Sequence, residues 1–106
     1  MEKIGIFCSA SESIDKMYFE SARQIGEWMG QKGKTLIYGG ASLGLMECVA
    51  RAVKENGGKV IGVVPAKLEE NGKVSILLDE EIHTRNLSDR KDIITEKSEV
   101  LVALPG

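Results

Sequence analysis

Residues 4–8, 35–38, 60–64 and 100–104 form four short stretches that are apolar or small at almost every position, with no polar alternation. A strand covered on one face alternates, so stretches of this kind belong to a sheet buried on both sides. Between them the period becomes helical. Ile14, Met17, Tyr18, Ile25, Trp28 and Met29 fall on one helical stripe, with Ser13 as the expected N-cap, Asp15 in the first turn, and Gly30 or Gly33 as the stop. Leu45, Cys48, Val49, Ala52 and Val53 form a second stripe that ends at Asn56-Gly57-Gly58. Strands alternating with helices, joined by right-handed crossovers, make a parallel sheet with helices on each face.

The expected fold is therefore α/β: a doubly wound, mostly parallel, Rossmann-like sandwich of three layers. At 106 residues the chain is one domain spanning 1–106. Pro65 is expected to break the third strand ahead of a polar stretch through Asp79 that has no clear period. Residues 81–84 suggest a short further strand, and Ser88 is the expected N-cap of a helix carrying Ile93 and Ile94. The last strand runs to Pro105-Gly106 with no helix after it to cover its apolar face, so the domain is expected to be incomplete at its C-terminus. Trp28 and the methionines at helical spacing are assigned to the core, and Glu69-Glu70 and Asp79-Glu80-Glu81 to solvated loops.

Several function classes lose support. A net charge of −2 provides no basic field for nucleic acid. Apolar runs of five or six residues are far too short to span a membrane, and no signal-peptide pattern opens the chain, which points to the cytoplasm. Cys8 and Cys48 lack CxxC spacing and His83 is the sole histidine, so neither a disulfide framework nor a metal site is indicated; the thiols are read as reduced core groups and His83 as a surface or strand-end residue. No G-x-S-x-G elbow or Cys–His pair supports acyl transfer.

In a doubly wound sheet the ligand crevice lies beyond the carboxyl ends of the strands. That places residues 9–11, 39–44, 65 onward and 105–106 on one edge. Tyr38-Gly39-Gly40-Ala41-Ser42-Leu43-Gly44-Leu45-Met46 is a glycine turn between strand and helix, a form that lets backbone N–H groups and the positive helix end approach an anion. It is neither a G-x-G-x-x-G nor a P-loop, which weakens NAD binding and ATP hydrolysis. It is also compatible with a tight turn that binds nothing. Ser9 and Ser11 can donate hydroxyl hydrogen bonds to the same anion or simply cap the first helix. Arg90 and Lys91 follow the expected cap of the last helix, where two cations oppose the helix dipole, so a ligand phosphate or partner carboxylate is a reason for their presence.

Taken together, Phe7-Cys8-Ser9-Ala10-Ser11, the glycine turn through Met46, Val63-Val64-Pro65, Arg90-Lys91 and Ala103-Leu104-Pro105-Gly106 resemble the LOG ("Lonely guy") family of Rossmann-fold phosphoribohydrolases across the whole chain. Members often carry the label lysine decarboxylase, but nothing here suggests a pyridoxal-phosphate lysine site. The resemblance implies hydrolysis of the N-glycosidic bond of nucleoside 5′-monophosphates, AMP or cytokinin riboside monophosphates, to free base and ribose 5-phosphate. It implies no cofactor, no metal and a homodimer. It assigns Arg90 as the catalytic cation, and Ser9, Ser11, Gly39, Gly40, Ser42, Gly44, Met46, Arg90, Lys91, Pro105 and Gly106 as substrate-binding. Two departures stand out. The family signature P-G-G-x-G-T-x-x-E is present only as Pro105-Gly106, so its glutamate is absent and these residues alone are expected to be inactive. Ala41 and Glu47 stand where glycines are usual. The competing class is a non-catalytic carrier of nucleotide or molybdenum cofactor, and a poorly folding truncated product is the third alternative.

Overall fold

The computed structural model describes residues 2–104. In chain order the elements are β1 (Lys3–Phe7), α1 (Lys16–Gln31), β2 (Thr35–Tyr38), α2 (Gly44–Glu55), β3 (Lys59–Pro65), α3 (Ala66–Glu70), β4 (Glu80–Thr84), α4 (Leu87–Lys97) and β5 (Val100–Ala103). The strands form one sheet in the order β4-β3-β2-β1-β5, and every neighbouring pair is parallel. The α/β sandwich expected from the four apolar stretches is what forms.

Two apolar clusters lie on opposite faces of the sheet. Ile4, Ile6, Leu36, Tyr38 and Val60 pack against Ala22 and Met29 of α1 and Leu45, Val49 and Val53 of α2. Ile37, Ile61 and Val63, one residue out of phase, pack against Ile94 of α4. The period-two alternation of strand side chains divides each strand between two layers of helix. β2, at the centre, is buried at all four positions, and each such large apolar side chain contributes roughly 1.5–3 kcal/mol by leaving water.

Helix ends depart from the sequence expectations in instructive ways. The N-cap of α1 is Asp15, whose carboxylate accepts from the Met17 amide at 3.0 Å, rather than Ser13. Ser13 is drawn into the preceding loop, where its amide donates to Ser11 Oγ. α1 closes in a Schellman motif at Gly33, with the Lys34 amide donating to the Met29 carbonyl and the Gly33 amide to the Gly30 carbonyl. Residues 56–58 end α2 in the same way, as their sequence suggests. The N-cap of α4 is Asn86, not Ser88: Asn86 Oδ1 accepts from the Asp89 amide at 2.9 Å, and Ser88 lies inside the first turn.

Pro65 does not interrupt β3. It is its last paired residue, opposite Thr84, and doubles as the N-cap position of α3. Proline tolerates a strand end because the amide it lacks falls where the ladder stops. The supposedly periodless stretch thus begins with a short helix. It continues as a strap that pairs with the glycine turn, Ala41 opposite Val74. Trp28 and Met17 are not core residues: they are 46% and 63% exposed. Both sit at the edge of the α1 stripe, and Trp28 lies 6.0 Å from Lys34 Nζ instead of under the sheet. Met29 is fully buried. Asp79 is no free loop charge. Its carboxylate accepts from Lys54 Nζ at 2.6 Å and from the Val60 amide at 2.8 Å.

β5 is an edge strand with Val100 and Leu101 each more than two-fifths exposed. Among the described residues, no helix is long and apolar enough to cross a membrane.

Candidate functional site

β1 leads through α1 to β2 on one side of the sheet, while β4 leads through α4 to β5 on the other side of β1. The direction of winding therefore reverses between β1 and β5. A crevice opens at the carboxyl ends of such a pair, because the flanking loops diverge there. Residues 8–11 and Leu104 border it, and the Leu104 amide donates to the Phe7 carbonyl at 2.9 Å. Pro105 and Gly106, also assigned to the site, lie outside the described residues.

Arg90 comes from α4 to the neighbouring carboxyl ends of β1 and β2. Its Nε donates to the Val63 carbonyl at 3.2 Å, and its Nη2 donates to the Gly39 carbonyl and lies 3.8 Å from Met46 Sδ. The guanidinium is thus tied to the ends of β2 and β3 by neutral acceptors, and among the described residues it has no carboxylate partner. Burial opposes its charge and lowers its pKa, while Cys8 and Tyr38 act in the other direction. A desolvated cation held by carbonyls alone carries an electrostatic cost that an anion would offset.

Gly39, Met46, Arg90 and Lys91 come together, with Phe7 and Cys8, around a cavity of about 200 Å³. Glycine at position 39 leaves room for the guanidinium: a Cβ there would stand 2.0 Å from Arg90 Nη2, which would have to move. Cys8 is no nucleophile, since burial pushes its thiol up to about 12 despite the nearby Arg90 charge. It and Cys48 are free thiols of intermediate burial.

The rest of the glycine turn faces elsewhere. The Ser42 amide donates to the Lys73 carbonyl and the Gly40 carbonyl accepts from the Ser75 amide, each at 2.8 Å. The strap of residues 73–75 therefore occupies the Ser42 amide, one of the N–H groups that the sequence suggested for an anion. Gly44, at φ +60°, lies so close to the loop after β1 that a Cβ would meet the Ser11 carbonyl oxygen at 2.5 Å. Ser42 and Gly44 border a separate cavity of about 330 Å³ between α1 and α2, with Glu47 and Arg51. Ser9 and Ser11 make local turns: Ser9 Oγ accepts from the Ser11 amide at 2.9 Å.

Several residues escaped the sequence analysis. Ser75 is buried, and its hydroxyl donates to Glu47 Oε1 at 2.7 Å and accepts from the Leu77 amide at 3.1 Å. Glu47, where the sequence departs from the LOG resemblance, is what fastens the strap to α2. The Tyr38 hydroxyl is buried beside this pair; burial raises its pKa and a contact with Ser75 tempers the rise, although it is not a hydrogen bond of good geometry. A polar serine within the apolar run Val74-Ser75-Ile76-Leu77 was the one available signal. His83 is exposed on β4, with Nδ1 3.3 Å from Glu69.

A model of the SLOG cluster4 family matches residues 1–106. The chain belongs to that family. Within the wider group, this SLOG cluster4 chain is 35% identical over 104 residues to "Probable cytokinin riboside 5'-monophosphate phosphoribohydrolase LOGL9" of Oryza sativa subsp. japonica, covering 98% of the chain and 46% of the relative. It is 30% identical over 105 residues to "Cytokinin riboside 5'-monophosphate phosphoribohydrolase LOG5" of Arabidopsis thaliana, covering 99% and 46%. The chain spans about half the length of these curated relatives. The molybdenum cofactor carrier protein of Chlamydomonas reinhardtii superposes with a TM-score of 0.85 at 30% identity, over 99% of this chain and 63% of that one. The molybdenum cofactor binding protein of Rippkaea orientalis gives 0.84 at 28% identity, over 97% and 61%. The LOG resemblance and the Rossmann-like fold are thus both supported.

Proposed function

We infer that this SLOG cluster4 chain binds a nucleoside 5′-monophosphate at the small cavity between the carboxyl ends of β1 and β2 and α4, as the nucleotide-holding part of a phosphoribohydrolase. The observation that carries this is Arg90, a partly buried guanidinium ligated only by the Gly39 and Val63 carbonyls and Met46 sulfur. The relatives named as cytokinin riboside 5′-monophosphate phosphoribohydrolases supply the reaction class. In that reaction water adds to the anomeric carbon of the ribose, the N-glycosidic bond breaks, and the base leaves with a proton, giving ribose 5-phosphate. Positive charge builds on the sugar ring in the transition state, so a carboxylate beside it lowers the barrier. Arg90 neutralises phosphate or developing charge on the leaving base, and Lys91 adds a second cation at the small cavity. Among the described residues no carboxylate borders that cavity, so residues 1–106 by themselves are expected to bind without turnover. The proposal extends to a cytoplasmic homodimer working without metal or cofactor, which the LOG resemblance implies.

The competing carrier function is favoured by the fold likeness to the molybdenum cofactor carrier and binding proteins. Titration with AMP, ribose 5-phosphate and a pterin phosphate separates the two by the preferred ligand. Arg90→Ala is expected to weaken AMP binding at least tenfold, since a charge-assisted contact supplies roughly 1.5–3 kcal/mol. AMP binding that Arg90→Ala leaves untouched rules out this site, and adenine release by the 106-residue chain rules out the inactivity.

A further inference from the structure

On the far side of Arg90 from the small cavity lies a larger one of about 680 Å³, between α3 and the first turn of α4. This is well within the size range of small-molecule sites, whereas 200 Å³ falls below it. Its walls are apolar where Pro65, Leu68 and Leu87 face it, and Leu87 is 67% exposed with nothing packed over it. Its charges are all positive: Lys67, Arg85 and Arg90 border it, and no aspartate or glutamate does.

In a chain with more acids than bases that segregation is unexpected. The acids of the same segments are engaged or turned away. Glu69 lies against His83, and Asp89 and Asp92 border a different cavity, whose lining Arg85 shares without forming an ion pair to either. Among the described residues neither Lys67 nor Arg85 forms an ion pair. Guanidinium groups serve both halves of such a surface, since they stack on aromatic faces and grip carboxylates or phosphates in pairs.

We propose that this cavity binds a flat aromatic group carrying its own negative charge, so that the ligand of this protein is anionic at the end away from its phosphate as well. The inference rests on the nucleotide site above only through Arg90, which stands between the two cavities. Leu68, Leu87 and Pro65 take the ring, Lys67 and Arg85 take the distal anion, and Asn71 and Asn86 offer amide hydrogen bonds at the margin. An unmodified adenine would leave those two cations unpaired.

The test uses the whole 106-residue chain, amide-resolved NMR, and two probes that share one ring system: naphthalene-2-carboxylate and uncharged naphthalene-2-carboxamide. The carboxylate is expected to shift the amides of Leu68, Asn71, Leu87 and Ser88 and to bind roughly fivefold tighter than the carboxamide, the worth of an exposed ion pair of about 1 kcal/mol. Added salt and the double substitution Lys67→Gln with Arg85→Gln are each expected to erase that preference. Both residues are exposed, so the fold is retained. Equal affinities, a preference that survives the double substitution, shifts confined to β5, or no binding would each overturn the proposal. A parallel AMP titration, read at residues 8–11 and Leu104, judges the nucleotide site separately, so either can fail while the other stands.

Discussion

Arg90 and Gly39 meet across 51 positions of sequence, the guanidinium donating to the glycine carbonyl, in a space that exists because Gly39 has no side chain. The contact joins α4, on one face of the sheet, to the end of β2 at its centre. It holds a helix-borne cation at the small cavity beside the carboxyl ends of β1 and β2.

Gly39→Ala is therefore expected to act at a distance on Arg90. The added Cβ, 2.0 Å from Nη2, forces the guanidinium off both carbonyls. Overpacking of this kind costs about 1–3 kcal/mol. Calorimetric titration should show AMP affinity falling as far as in Arg90→Ala, while circular dichroism shows the fold retained.

Tyr38→Phe should stabilise the protein. The hydroxyl is buried with only a poorly aligned contact to Ser75, and an unsatisfied buried donor costs roughly 1–3 kcal/mol. Removing it while keeping the ring in the core should raise the urea midpoint by the equivalent of about 1 kcal/mol. A lower midpoint would mean that the hydroxyl is satisfied in solution.

Asp79 should produce an acid limb in stability. Burial opposes its ionisation, but the Lys54 ammonium and the Val60 amide outweigh that and hold the carboxyl below its ordinary value. A carboxylate whose folded pKa is depressed stabilises the fold above the unfolded value, about 3.9, and loses that contribution as pH falls through the folded one. Wild-type stability should drop on acidification below about pH 4, and Asp79→Asn should flatten that segment of the curve.

The two candidate caps of α4 predict opposite costs. Asn86→Ala removes the acceptor for the Asp89 amide and should cost about 1 kcal/mol. Ser88→Ala, inside the first turn, should change stability by less than about 0.5 kcal/mol. Thermal melts of the two variants decide between them, and the reverse order would restore Ser88 as the cap. Because the first turn of α4 carries Arg90, the Asn86 variant should also weaken AMP binding.

Much of the fold was legible because it is written in local periods. Apolar stretches without alternation, such as residues 60–64, meant strands covered twice, and the two Schellman closures at Gly33 and residues 56–58 followed from glycine placement. Errors arose where neighbouring polar residues competed for one role. Ser13 lost the cap to Asp15, and Ser88 lost it to Asn86, because side chains two or three positions apart can each satisfy a helix end and loop geometry selects one. Trp28 has core chemistry, yet it sits at the margin of the stripe where the sheet does not reach.

The amino-acid order alone determined the alternation of strand and helix, the edge on which the glycine turn after Tyr38 lies, and the family. Local hydrophobic periods and motif spacing suffice for these. Tertiary structure alone decided that residues 73–75 occupy the Ser42 amide and Gly40 carbonyl, that Asp79 clasps Lys54, and that Lys67, Arg85 and Arg90 surround one apolar cavity. Each of these joins groups brought together only when the sheet closes, and no local period records which distant partner a polar group will find.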